Sequence, residues 1–159
     1  MAFDLLAADD EFIRSAPQRY VFGMDLPVPA DQVWAEAMTG TTPLSFVRGL
    51  SVRWTSTAPH GVGSTRVAKA GFGAVRLDER YIVWDEGHRN AFVGVSVNVP
   101  MLRRFAEDYV VEPRPGGCRF TWTFAAESRG PRAAAAVNDV VQRTMFAGMA
   151  RDVRRHFGG

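Results

Sequence analysis

The sequence predicts an α+β fold: a curved antiparallel sheet of about seven strands wraps around one long C-terminal helix, with two short helices after the first strand. Residues 50–126 follow the strand period of two and have only short connections between segments, which is typical of an antiparallel meander. Residues 130–157 follow the helical period and have one broad apolar face. A helix of this length needs a large apolar partner, so we expect it to close the sheet over an apolar interior.

The elements before the meander are short. Residues 19–26 are rich in aromatic and β-branched side chains and predict a strand, which Pro27 ends. Residues 30–38 predict a helix, and residues 43–47 predict a second one. The six strands of the meander are expected at residues 50–56, 64–70, 74–84, 89–97, 104–112 and 118–126.

The last two strands allow a register prediction. Three aromatic residues alternate with polar ones on the final strand and should face the interior: Phe120, Trp122 and Phe124. If residues 113–116 form a four-residue loop, Tyr109 lies opposite Phe120 and Glu107 lies opposite Trp122. Glu107 is then a carboxyl group that points inward among aromatic side chains.

The C-terminal helix is predicted to begin near Pro131 and to end at Gly158. Its apolar face should contain Ala134, Val137, Val140, Val141, Met145, Gly148, Met149 and Val153. Asp152 falls on this face near the helix C-terminus, where the helix dipole disfavours a negative charge. The partners considered for Asp152 are the arginines Arg53, Arg66 and Arg76.

Composition favours one domain, and we place it at residues 19–159 after an N-terminal extension of residues 1–18. The extension is either loosely docked or a flap over a cavity mouth. A net charge of +2 gives no reason to expect nucleic acid as a partner. The N-terminus lacks a signal-peptide core, and no apolar run approaches 18 residues, so we expect a cytoplasmic protein without membrane insertion.

The order of these elements resembles the START-like helix-grip superfamily (SRPBCC), and within it the bacterial branch named for polyketide cyclases, dehydrases and lipid transport. The segments that carry the resemblance are DLPVPADQVWAEAM (residues 25–38), RYIVWDEGHRNAF (residues 80–92) and AEDYVVEPRPGGCRFTWTFAAE (residues 106–127). The resemblance covers roughly residues 19–157 and implies a helix-grip fold. It transfers no catalytic residue, because superfamily members bind or transform many ligands on one scaffold.

Two sets of residues are candidates for a functional site. Ligand contacts are expected from Trp54, Phe92, Tyr109, Phe120, Trp122, Met145, Gly148 and Met149, although such residues can also simply fill the core. Glu107 is the candidate catalytic residue, because partial desolvation raises a carboxyl pKa and suits it to general acid–base chemistry. The alternative is that Glu107 reaches solvent or pairs with Arg103 or Arg104.

Three functional hypotheses follow. The first is a protein that binds a hydrophobic small molecule, such as a lipid or an aromatic or polyketide-like compound, between the helix and the sheet. The second is a cyclase or dehydratase, with Glu107 as acid–base residue and Tyr109 polarising a carbonyl. The third is a homodimer formed through Phe146 and Phe157. No cofactor is expected, and no metal site is expected because the three histidines lack ligand spacing and Cys118 is the only cysteine.

Overall fold

The computed structural model describes all 159 residues, Met1–Gly159. The strands are β1 (Phe3–Asp4), β2 (Gln18–Leu26), β3 (Ser51–Trp54), β4 (Thr65–Ala70), β5 (Val75–Asp85), β6 (Arg89–Val97), β7 (Leu102–Arg114) and β8 (Gly117–Ser128). The helices are α1 (Asp10–Ser15), α2 (Ala30–Trp34) and α3 (Arg132–Phe157), and the π-helical turn Ala35–Thr39 continues α2.

The sheet is antiparallel and has the strand order β2-β8-β7-β6-β5-β4-β3, with β1 paired to β6. Each strand from β3 to β8 therefore pairs with its neighbour in sequence, and β2 closes the far edge against β8. Helix α3 packs on one face of this sheet, where most of the buried hydrophobic residues form a single core. The predicted helix-grip architecture is confirmed.

The β7–β8 hairpin differs from the prediction in its loop length. The loop has two residues, Pro115 and Gly116, because β7 continues to Arg114 and pairs there with Gly117. Gly116 has a φ of 79°, which a glycine adopts at no steric cost. The register is consequently displaced by two residues from the predicted one. A displacement of two leaves every side chain on its predicted face, and Glu107 still points inward.

Helix α3 presents a different face to the sheet from the one predicted. The buried residues of α3 are Gln142, Phe146, Met149, Ala150, Val153 and Phe157. Val137, Val140 and Val141 were expected to be buried, but 64%, 63% and 50% of their surface is exposed. At 100° per residue the buried face is rotated by roughly a third of a turn from the predicted one. Only Met149 and Val153 of the predicted apolar face are fully buried.

Two smaller expectations are also corrected. Residues 43–47 form hydrogen-bonded turns, because Leu44 has a φ of 57° and interrupts any helical run. Asp152 pairs with none of the three arginines considered for it. Its carboxylate accepts a hydrogen bond from the backbone N–H of Arg48 at 2.9 Å, so it anchors the helix to the turns after α2.

The N-terminal residues are integrated into the sheet. The backbone N–H of Leu5 donates to Val95 and that of Leu6 donates to Arg103, so this segment bridges β6 and β7. Phe12 and Ile13 of α1 pack against four small side chains on the sheet face opposite α3, namely Ala91, Val93, Ala106 and Ala125. These hydrogen bonds and contacts do not fit a loosely docked extension.

Candidate functional site

An apolar cavity lies between α3 and the concave face of the sheet. Its volume is about 80 Å³. Twenty residues line it, and sixteen of them are hydrophobic. Helix α3 contributes Gln142, Met145, Phe146 and Met149. The remaining walls come from β3, β4, β5, β7 and β8, and from the connections that hold Leu44, Leu50, Val99 and Met101.

The structure brings about half of the predicted site residues to this cavity. Tyr109, Trp122, Met145 and Met149 line it, as does Glu107. Tyr109, Trp122 and Glu107 come from strands whose inward faces were predicted correctly. Met145 and Met149 lie where the predicted and the observed faces of α3 overlap.

The other predicted ligand contacts lie outside the cavity wall. Trp54 packs among Tyr81, Trp84 and His60 at the far end of the sheet. Phe92 and Phe120 are fully buried behind the wall, each edge-on to Tyr109. Gly148 faces open space, since a Cβ added there would meet no atom within 4 Å. These residues support or border the site without facing its interior.

Glu107 is buried and is held by two neighbouring side chains. The indole Nε1 of Trp122 donates to Glu107 Oε2 at 2.8 Å, and the hydroxyl of Tyr109 donates to the same oxygen at 2.9 Å. Only 7% of the residue's surface is exposed. The predicted alternatives of contact with bulk solvent or pairing with an arginine on β7 do not occur, because Arg104 pairs with Glu127 instead.

A buried ion pair lies next to Glu107. Arg66 on β4 and Glu79 on β5 are direct cross-strand neighbours, and Arg66 Nε donates to Glu79 Oε2 at 2.5 Å. The guanidinium of Arg66 also stacks over the ring of Phe92, 4.0 Å from its centroid. Both side chains are 1% exposed and both residues line the cavity. Arg66, Glu79 and Glu107 therefore form a polar floor of the cavity, whereas its walls are apolar.

Burial controls the protonation of the two acids. Burial raises the pKa of Glu107 to about 8, the negative charge of Glu79 adds to the rise, and Arg66, Trp122 and Tyr109 offset part of it. Burial also raises the pKa of Glu79, although Arg66 opposes that shift. At neutral pH a protonated Glu107 leaves the ion pair as the only charges on the cavity floor, so the floor is electrically neutral.

Three cavity residues with polar side chains were missed as site residues. Glu79 lies between Leu77 and Tyr81 in the inward parity of β5, so the reasoning that placed Glu107 inward would also have found Glu79. Arg66 was considered only as a partner of Asp152. Gln142 was not predicted, because its inward position follows only from the face of α3 that also buries Phe146.

The fold and the site together define a START-like protein of the helix-grip class. Residues 21–156 match the family model described as polyketide cyclase / dehydrase and lipid transport, so the chain belongs to this family.

Relatives and solved structures agree with this assignment. An uncharacterised protein of Mycobacterium tuberculosis strain H37Rv is 36% identical over 124 residues, which cover 76% of this chain and 72% of that protein. A START superfamily protein from Mycobacterium smegmatis superposes with a TM-score of 0.67 at 9% identity, over 88% of this chain and 97% of that one. Ginseng major latex-like protein 151, from Panax ginseng, superposes with a TM-score of 0.61 at 11% identity, over 90% and 99% of the respective chains. At these identities the two structures show the shared fold alone.

The structure contains neither a metal-binding cluster nor a membrane-spanning helix. No cluster of three or more histidine, cysteine, aspartate or glutamate side chains is arranged to hold a metal ion. None of the helices has both the length and the apolar character needed to span a bilayer.

Proposed function

We propose that the protein binds a hydrophobic small molecule, such as a lipid or an aromatic or polyketide-like compound, in the cavity beneath α3. The observation that carries the proposal is the lining itself, with sixteen hydrophobic residues among twenty around a space that opens to solvent. Water in contact with such apolar walls is unfavourable. The free energy therefore falls when the apolar surface of a ligand replaces that water. Met145 and Met149 can adapt to ligands of different shape.

Filling the cavity tests this proposal. Ala68 lines the cavity, so Ala68→Phe should place a ring where a ligand would lie and weaken binding of the neutral fluorophore 1-aminoanthracene at least tenfold. Ala133→Phe is the matched control, because Ala133 is exposed near the start of α3 and the variant should bind like the wild type. Fluorescence titration gives the affinities, and native mass spectrometry of protein from its own host shows any retained compound. Absence of both a retained compound and binding to wild-type protein would contradict the proposal.

A second candidate function is acid catalysis on a polyketide-like carbonyl compound, as in a dehydratase or cyclase. Glu107 favours it, because a buried acid with a pKa of about 8 is largely protonated at neutral pH. For a β-hydroxy ketone, Glu107 would protonate the departing hydroxyl, and the resulting carboxylate would take the α proton, so that water leaves and the acid is regenerated. The hydroxyl of Tyr109 already donates its hydrogen to Glu107, so Tyr109 does not polarise the carbonyl. The groups that remain able to donate to the substrate are Glu107 and Arg66.

Glu107→Gln separates the two candidate functions. Glutamine preserves the acceptor for Trp122 and Tyr109 but transfers no proton, so dehydration of a β-hydroxy aryl ketone should fall at least about 100-fold while 1-aminoanthracene still binds. Wild-type activity should decline as pH rises through about 8, where Glu107 loses its proton. Formation of the conjugated enone is followed by absorbance. Turnover that survives in the variant, or a rate unaffected by pH in this range, would exclude Glu107 as the acid.

A further inference from the structure

Several buried polar atoms of the cavity have no hydrogen-bond partner in the protein. Nη1 of Arg66 has none, although its side chain is 1% exposed. The amide of Gln142 has none at either Nε2 or Oε1, although the residue is 4% exposed. Both residues line the cavity. A buried polar group without a partner is costly, and native proteins usually satisfy such groups with protein, water or ligand.

Glu107 adds a third free position. Its Oε2 accepts the hydrogen bonds from Trp122 and Tyr109, whereas Oε1 takes part in no hydrogen bond with the protein. When Glu107 is protonated, its hydroxyl hydrogen can reside on Oε1 and be donated to a molecule in the cavity. Arg66 offers a second donor through Nη1. The floor of the cavity therefore provides donors suited to one acceptor oxygen, and Gln142 on α3 provides a separate donor and acceptor.

The charges on the floor disfavour an acidic ligand. The positive charge of Arg66 is already matched by Glu79 at 2.5 Å. A carboxylate bound here would be a further buried negative charge beside two acidic side chains, with no second cation in the cavity lining to compensate it. An uncharged carbonyl or hydroxyl oxygen accepts the same hydrogen bonds without this cost.

We propose that the cavity selects uncharged apolar molecules with two separated oxygen functions, a carbonyl or hydroxyl oxygen bound by Arg66 and Glu107 and a second one bound by Gln142. The proposal rests on the ligand-binding function proposed above and narrows it to a chemical class. It excludes free fatty acids and other apolar carboxylates as preferred ligands. It also gives Gln142 a role in specificity, since leucine would fill the same space without an unpaired amide.

Four compounds with one ring system test the proposal: naphthalene, 2-acetonaphthone, 6-hydroxy-2-acetonaphthone and 2-naphthoate. Their affinities are measured by competition with 1-aminoanthracene on the full-length protein at pH 7. The ketone should bind about tenfold more tightly than naphthalene, because its carbonyl accepts from Arg66 and Glu107. The hydroxy ketone should bind about tenfold more tightly again, because its hydroxyl pairs with Gln142. The naphthoate should bind more weakly than naphthalene. Equal affinities for all four, or tightest binding by the naphthoate, would overturn the proposal. Water would then be the hydrogen-bond partner of the polar atoms in the cavity.

The variant Gln142→Leu assigns the second position. It should remove the advantage of the hydroxy ketone over the ketone, and the readout is the ratio of these two affinities measured on the same variant. An unchanged advantage would overturn the role of Gln142, and Gln142→Met gives the same comparison if the leucine variant does not fold by circular dichroism. Binding of naphthalene without any ranking supports the proposed function and contradicts this inference. If 1-aminoanthracene binds but none of the four compounds displaces it, this inference fails while the proposed function stands.

Discussion

Arg66→Met is expected to lower the free energy of unfolding by about 3–5 kcal/mol, because it leaves Glu79 buried without its counter-charge. The loss should become smaller as pH falls, since Glu79 can then take a proton and lose its charge. Chemical denaturation at pH 7 and pH 5 measures both effects. The double variant Arg66→Met with Glu79→Leu should recover most of the stability, because an apolar pair of similar volume leaves no buried charge.

Arg76 provides the matched control for this experiment. Arg76 pairs with Asp78 at 2.9 Å, but their side chains are 53% and 37% exposed. Solvent screens such a pair, so Arg76→Met should cost no more than about 1 kcal/mol. If Arg66→Met and Arg76→Met lowered the free energy of unfolding by the same small amount, Glu79 would not be a buried charge that depends on Arg66.

Phe146→Ala is expected to destabilise the protein by about 3–5 kcal/mol through the cavity it leaves. Phe146 is 3% exposed and stacks on Phe124 with the ring centroids 3.8 Å apart, and its ring also lies 5.5 Å from that of Tyr20. Val140→Ala is the control, because Val140 lies on the same helix but is 63% exposed. That change should alter the free energy of unfolding by less than about 0.5 kcal/mol.

The same variant decides between the buried position of Phe146 and the dimer surface predicted from the sequence. Phe157 is buried as well, at 4% exposure, so neither phenylalanine is available to a second copy of the chain. Light scattering should give the same molar mass for wild-type protein and folded Phe146→Ala, and thermal unfolding should show the difference between them. A change of molar mass without a loss of stability would instead indicate that Phe146 lies in a dimer interface.

Much of the fold could be predicted because it depends on local patterns. Strand β6 was predicted with its observed bounds, and both ends of every other meander strand were predicted within two residues. The inward orientation of Glu107 survived an incorrect loop length, because a register displacement of two residues changes partners but not faces. The family resemblance rested on the order of elements, and the match of residues 21–156 to the family confirms it.

Predictions for α3 failed where two faces of the helix had similar apolar character. Aliphatic side chains at Val137, Val140 and Val141 suggested one face, whereas the sheet accepts the aromatic ring of Phe146 against Phe124. Periodicity alone does not rank these faces, because the ranking depends on the shape of the surface that the helix meets. Gln142 and Ala150 were carried into the interior by that same rotation.

The sequence by itself determined strand β2, the six strands of the antiparallel meander, the long C-terminal helix and the inward carboxyl of Glu107. Each follows from the spacing of apolar and polar residues within one strand, helix or hairpin, and this spacing is local in the sequence. Only the tertiary structure decided that Arg66 meets Glu79, that Gln142 shares their cavity, and that α3 leaves the space between them open. These features depend on the distances and volumes of side chains from several elements, and on which groups remain without partners after packing is complete.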